Sequence, residues 1–356
     1  MRTKHPYKGL NSTKFWNKFV SEKKWIEVEF IDTPKFKIKP ADKVVTAGSC
    51  FAQHISRYMN KVGLSIFNCE PAHPLLMSYD GDIEAHNQFS ARYGNIYSTS
   101  QCLELIQQAL GIIPMVKDFV EESTRWYDLI RPNIQKSGFS SLHEALSDRS
   151  YHLSQVSKMF HEADIFVFTL GLTEIWKNKN GNYTYPVCPG TLRGTHDEGV
   201  HLFKNLSYSD VYQDLQEIIN LLKNINPKIK IILTVSPVPL VATKTLQNVL
   251  VASSYSKAVL RAVVGDIERH NDNVAYFPSY EIINSPASMG QYLADDLRDV
   301  TENGVEHVMG CFLNSFYGNI SKEINSNFNL KEIKNIEEPK SKFIPECEEI
   351  FNMTNL

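Results

Sequence analysis

Val44-Val45-Thr46-Ala47-Gly48-Ser49-Cys50-Phe51-Ala52 decides how this chain is read, because an apolar run ends there in a small-residue turn that opens a helix. Val44 and Val45 are β-branched and follow Asp42-Lys43, so they predict a short buried strand, and Ala47-Gly48 lets the backbone turn sharply. Phe51, Ile55, Tyr58, Met59 and Val62 then recur at helical spacing, which predicts an amphipathic helix from Phe51 to Gly63. Ser49 sits at the helix entrance. Backbone N–H groups there carry partial positive charge, so the arrangement can expose the hydroxyl as a nucleophile beside donors for an anionic intermediate. The same position also suits a plain helix N-cap.

Outward from this turn, short apolar runs alternate with helical segments, the pattern of a layered α/β domain with a mostly parallel sheet. Strands are expected at Val44–Thr46, Leu64–Phe67, Ile165–Leu170, Ile229–Val235 and Val274–Phe277. Helices are expected over Ser100–Leu110, Ser209–Asn224 and Ser253–Glu268, with a last one capped by Thr301 and running to about Phe316. The continuous apolar run Ile165–Leu170 reads as a strand buried on both faces. Residues 114–160 show no clear strand and read as a helical insertion. Residues 321–356, rich in Lys, Glu and Asn, read as an extended or loosely attached polar tail. The expected organisation is an N-terminal extension over 1–40, an α/β domain over 41–320 and that tail. The fold class is a three-layer α/β sandwich with a mostly parallel central sheet, flavodoxin-like in its layering.

The 356 residues are 42% hydrophobic and 22% charged, ordinary for a soluble globular protein. A formal net charge of −3 gives no general reason to bind nucleic acid. No apolar run is long enough to span a membrane and the N-terminus lacks the apolar core of a secretory signal, so a cytoplasmic location is expected. Six scattered cysteines have no paired spacing and are expected to be reduced, with no metal site.

Gly48-Ser49-Cys50-Phe51-Ala52 spells the pentapeptide of the GSCFA family, which belongs with the SGNH, or GDSL-like, hydrolases. The chain resembles that family in further blocks, in order: Ser90 to Tyr97 (SARYGNIY), Phe168 to Trp176 (FTLGLTEIW), Ser236-Pro237-Val238 and Tyr276 to Glu281 (YFPSYE). The resemblance implies an SGNH fold and an esterase or O-acyltransferase of acyl esters, with a carbohydrate-linked ester as candidate substrate and Ser49 as nucleophile. It implies an oxyanion hole of the Ser49 N–H, the Gly94 N–H and a side chain from the third block. That block usually reads Gly-x-Asn-Asp, but here it is Gly171-Leu172-Thr173-Glu174, so Thr173 would offer a hydroxyl proton in place of an amide proton. Thr173 and Glu174 also suit simple capping.

SGNH enzymes carry Asp-x-x-His near the C-terminal end, the histidine acting as base and the aspartate orienting it. Here the segment reads Asp296-Leu297-Arg298-Asp299, which puts Asp299 at the histidine position. His307 in the last helix is the tentative substitute base, and His201 and His196, in the polar stretch after Glu174, are secondary candidates. His54 lies five residues beyond Ser49, about 140° around one helix, which disfavours contact. Arg92, Arg131 and Arg193 suit an anionic substrate or the phosphates of an acyl-coenzyme A donor, or else surface ion pairs. Loss of the expected histidine equally suits a catalytically silent member that binds a glycan or a protein.

Overall fold

The computed structural model of the protein describes residues 5–28, 33–61, 64, 66–72, 85–86 and 88–318. The proposed polar tail at 321–356 lies outside the described residues. In chain order the elements are β1 (Val44–Gly48), α1 (Cys50–Lys61), α2 (Thr99–Ala109), β2 (Phe119–Glu122), β3 (Arg125–Asp128), α3 (Leu142–Glu162), β4 (Ile165–Leu170), β5 (Glu174–Asn178), β6 (Thr184–Tyr185), β7 (His201–Asn205), α4 (Tyr208–Ile225), β8 (Lys230–Val235), α5 (Val249–His270), β9 (Val274–Phe277), α6 (Ser279–Asn284) and α7 (Glu302–Phe316).

The central sheet has the order β1-β4-β8-β9, and every pairing is parallel. Side chains alternate across it, as the pleat requires. Val45, Ala47, Phe166, Phe168, Ile231 and Leu233 pack on one side with residues of α2, α3, α4 and α5, among them Ile106, Phe160, Leu215 and Val263. Val44, Ile165, Val167, Ile232, Ala275 and Phe277 pack on the other side with α1, α6 and α7, through residues such as Ile55, Ile282 and Phe312. Burial on both faces is why these strands read as unbroken apolar runs. The result is the three-layer sandwich that the alternating pattern predicted.

Two expectations are corrected. The strand expected at Leu64–Phe67 is reduced, among the described residues, to one parallel bridge between Val44 and Ile66, with Phe67 N–H donating to Val44 O. That bridge still places the chain on the outer side of β1 while β4 lies on the inner side, so the winding reverses about β1. In open α/β sheets ligands bind at such a reversal, beyond the carboxyl ends of the strands. The stretch 114–160 is not wholly helical: β2 and β3 form an antiparallel hairpin, with Trp126 facing Glu121, before α3 begins. A second small sheet, β6-β5-β7, occupies much of what reads in sequence as a polar loop. Among the described residues no helix is long and apolar enough to cross a membrane.

Candidate active site

Ser49 follows the last residue of β1, at the carboxyl edge of the sheet. Gly48 permits this placement. Its φ is +146°, and a Cβ there would collide with the carbonyl oxygen of Thr169 on β4. Gly171 performs the matching task on the neighbouring strand. A Cβ on it would stand 3.2 Å from Ser49 Cβ and 2.9 Å from Tyr97 O. The second and third sequence blocks therefore meet at Ser49: Ile96 N–H donates to Gly48 O at 2.8 Å, and Gly171 and Leu172 N–H both donate to Tyr97 O. Gly94 adopts φ +70°, a turn that favours glycine, two residues before this contact.

Ser49 was expected to present an exposed hydroxyl. Instead the residue is 4% exposed, and its Oγ is buried with no hydrogen-bond partner. The close approach of the Gly171 and Tyr97 backbones is the physical reason. Consequently, among the described residues, no histidine or carboxylate hydrogen-bonds Ser49. The Ser49 N–H donates to Thr169 O over a long 3.3 Å.

The other candidates have partners of their own. Thr173 is fully buried and donates its hydroxyl proton to Asn205 Oδ1 at 2.6 Å, so the expected donation to an oxyanion is replaced by a tie to β7. Glu174 accepts from the Thr243 hydroxyl at 2.6 Å and the Lys244 N–H at 3.1 Å, pinning the loop after β8. His307 stacks on Tyr292, ring centroids 5.0 Å apart, and its Nε2 stands 3.9 Å from Cys311 Sγ. Glu302, at the start of the same helix, pairs with Arg57, eight residues or about 12 Å along α1 from Ser49.

His196 and His201 are brought together, ring centroids 5.4 Å apart, but on the small sheet. His201 pairs with Asn178 at the end of the ribbon opposite to Glu174, about 13 Å along the strand. Its Nδ1 accepts from Asp197 N–H at 3.0 Å, and burial, then the charge of His196, lowers its pKa.

Asp296 and Asp299 occupy a tight turn between Leu293 and Val300, which form a bridge. Asp296 accepts the N–H groups of Arg298 and Asp299, both at 3.0 Å. Burial pushes its carboxyl up, but those donors and the Arg298 charge outweigh burial and hold it below the usual range. Asp299 moves the other way: burial, then the neighbouring Asp296 charge, raises its pKa above 3.8.

Arg92 is spent on structure. Its Nη1 meets Asp148 Oδ1 at 2.8 Å and its Nη2 meets Ile134 O at 2.9 Å. Arg131 bridges Asp128 and Asp148, and Arg193 pairs with Glu122 across the Tyr127 ring. These pairs hold the 114–160 segment on the core. In the same buried group His152 Nδ1 meets Glu70 Oε2 at 2.6 Å. Burial first, then Arg131, lowers His152 from 6.5 to about 4, so at neutral pH the ring is uncharged and donates to the carboxylate. His54, lowered to about 4 by burial and then by Arg57, is likewise uncharged at neutral pH.

A depressed histidine pKa means that the unfolded chain takes up the proton first, so stability is lost as pH falls from 6.5 toward 4. The expected fall in unfolding free energy between about pH 7 and 5 is about 2 kcal/mol per ring, a range in which ordinary carboxylates are silent. Denaturant titrations across that range check it, with His152→Gln making the slope shallower. A flat profile in the wild type contradicts the assignment.

Sequence reasoning missed the polar face of α5. Ser256 Oγ accepts from Thr173 N–H at 3.0 Å, Lys257 Nζ donates to Gly171 O at 2.6 Å, and Ser253 Oγ accepts from Leu240 N–H at 3.1 Å. Asn95, whose Oδ1 accepts from Gln53 Nε2 at 3.1 Å, was also missed.

Residues 43–312 match the GSCFA family. No curated protein matches. Several solved structures are similar, among them two at low identity. An acetyl esterase variant with bound acetate ion is 15% identical, covering 49% of this chain and 62% of its own, with a TM-score of 0.26. A carbohydrate esterase of family 3 from Talaromyces cellulolyticus is 12% identical, covering 83% of this chain and 100% of its own, with a TM-score of 0.34. The chain thus spans less than two thirds of the first of these, and neither likeness carries weight for the chemistry.

Proposed function

This chain belongs to the GSCFA family, and from that premise we propose that it is an ester hydrolase of the SGNH type, acylated on Ser49. The observation that carries the reading is the Ser49 hydroxyl, buried without a partner at the carboxyl edge where the winding of the sheet reverses. Leaving such a hydroxyl unsatisfied costs about 1–3 kcal/mol, a cost that an arriving ester group would offset. Because Oγ is enclosed, the ester must displace covering groups to reach it.

In the proposed reaction Ser49 Oγ attacks the acyl carbon while its proton passes to a base. The Ser49 N–H, giving up its long bond to Thr169 O, and the Gly94 N–H hold the resulting oxyanion. Collapse breaks the C–O bond to the alcohol, which takes the proton. Water then attacks the acyl-Ser49 carbonyl, returning the serine and releasing the carboxylic acid. The base is assigned to Asp299, which stands where the superfamily carries histidine and whose basicity is raised by burial and Asp296. Asp296 fixes the turn that carries it. His307, stacked on Tyr292, is given no step. The resemblance favours a carbohydrate alcohol as leaving group, and a sugar hydroxyl in place of water would make the same intermediate an acyl donor. An acyl-coenzyme A donor fits less well, since Arg92, Arg131 and Arg193 are all engaged in ion pairs.

A second reading, a silent glycan- or protein-binding member, draws on one observation, the absence among the described residues of any hydrogen bond between Ser49 and a titratable group. A fluorophosphonate probe separates the two. Labelling that maps to Ser49 and disappears in Ser49→Ala supports the hydrolase. No labelling from neutral to alkaline pH supports the binder.

A further inference from the structure

Helix α5 buries a stripe at helical spacing: Ser253, Ser256, Lys257, Leu260, Val264 and Ile267. Lysine is costly at such a position, since its ammonium must leave water where an aliphatic side chain would pack at no such penalty. Lys257 is nevertheless only 4% exposed, and its Nζ donates to the Gly171 carbonyl at 2.6 Å. Gly171 is the residue whose missing side chain lets its backbone lie directly beside Ser49. Summing the bond lengths from Nζ through Gly171 puts the ammonium within about 10 Å of Ser49 Cβ. One turn of helix thus ties the 171–173 strand exit at two points, with Ser256 receiving the Thr173 N–H.

We propose that Lys257 is a positioning residue of the Ser49 site: its ammonium holds the Gly171 peptide beside the Ser49 hydroxyl, and its charge stabilises the oxyanion formed there. This rests on Ser49 being the nucleophile. The charge acts only as negative charge builds up on the acyl oxygen, so it favours the transition state over the bound ester. A unit charge at about 10 Å, with an effective dielectric near 20, changes the rate by about tenfold.

The test uses the full chain with p-nitrophenyl acetate and a fluorophosphonate, in the wild type and in Lys257→Gln, Lys257→Met and Lys257→Arg. Glutamine keeps a hydrogen-bond donor without charge, methionine keeps the packing alone, and arginine keeps both donor and charge. The expected result is a loss of about tenfold or more in kcat, with KM little changed, in the glutamine and methionine variants, and partial recovery with arginine. Thermal unfolding selects the folded variants, and any folded neutral variant compared with wild type decides. A neutral variant with wild-type kcat, or an arginine variant as impaired as a folded neutral one, overturns the role of Lys257 while probe labelling of Ser49 persists. A wild-type chain that the probe never labels overturns the Ser49 reading and this inference together.

Discussion

Ser49→Ala is expected to lower ester turnover by about a thousandfold or more while leaving the protein as stable as before, or slightly more so. The two halves of this result have separate causes. The hydroxyl is the group acylated in the proposed reaction, and loss of a nucleophile that acts in concert with its surroundings has effects of this size. The same hydroxyl makes no hydrogen bond in the folded protein, so removing it deletes a buried polar atom without orphaning a partner. A residue that only capped α1 would behave in the opposite way, with a stability loss of about 1 kcal/mol and little change in turnover. Parallel measurement of kcat/KM and of the denaturation midpoint tells these apart.

The second large effect is expected at Asp299. Asp299→Asn removes the proposed base and should reduce kcat by about a hundredfold to ten-thousandfold. Asp299→His restores the residue type of the superfamily pattern and should retain or raise turnover at neutral pH. The pH profiles carry the sign. A base works only when deprotonated, so wild-type activity is present above the raised pKa of Asp299 and is lost as pH falls through it. In the histidine variant the acid limb should move toward about pH 6.5. A histidine variant as inactive as the asparagine one, or an asparagine variant with wild-type kcat, removes Asp299 from the mechanism.

The strands of the main sheet were legible because each is buried on both faces and is written in adjacent apolar residues, as in Ile165–Leu170. The hairpin of β2 and β3 was not. Its turn uses Ser123 and Thr124 at φ +49° and +68°, without the Asn or Gly that announces such a turn, and its strands carry Glu121, Glu122 and Arg125. The sheet β6-β5-β7 escaped notice because β6 has two residues and a long connection separates it from β7.

At the site, the meeting of Gly48, Ser49, Tyr97 and Gly171 follows from the order of the sequence blocks, but the enclosure of the hydroxyl depends on how closely those backbones approach, which no local pattern encodes. His307 sits in the second turn of α7 as read, yet which neighbour it faces is set by packing on Tyr292. Lys257 did leave a trace in the sequence, a charged residue on the apolar stripe of a helix, and only the contact with Gly171 gives that trace a meaning.

The most direct measurement is mass-spectrometric peptide mapping of the full-length protein quenched in acid during turnover of an activated acetyl ester. The account predicts an acetyl group on the peptide containing Ser49, accumulating before steady state and absent from Ser49→Ala. Turnover that proceeds at the wild-type rate with no acyl group on that peptide, and equally in the alanine variant, would contradict it.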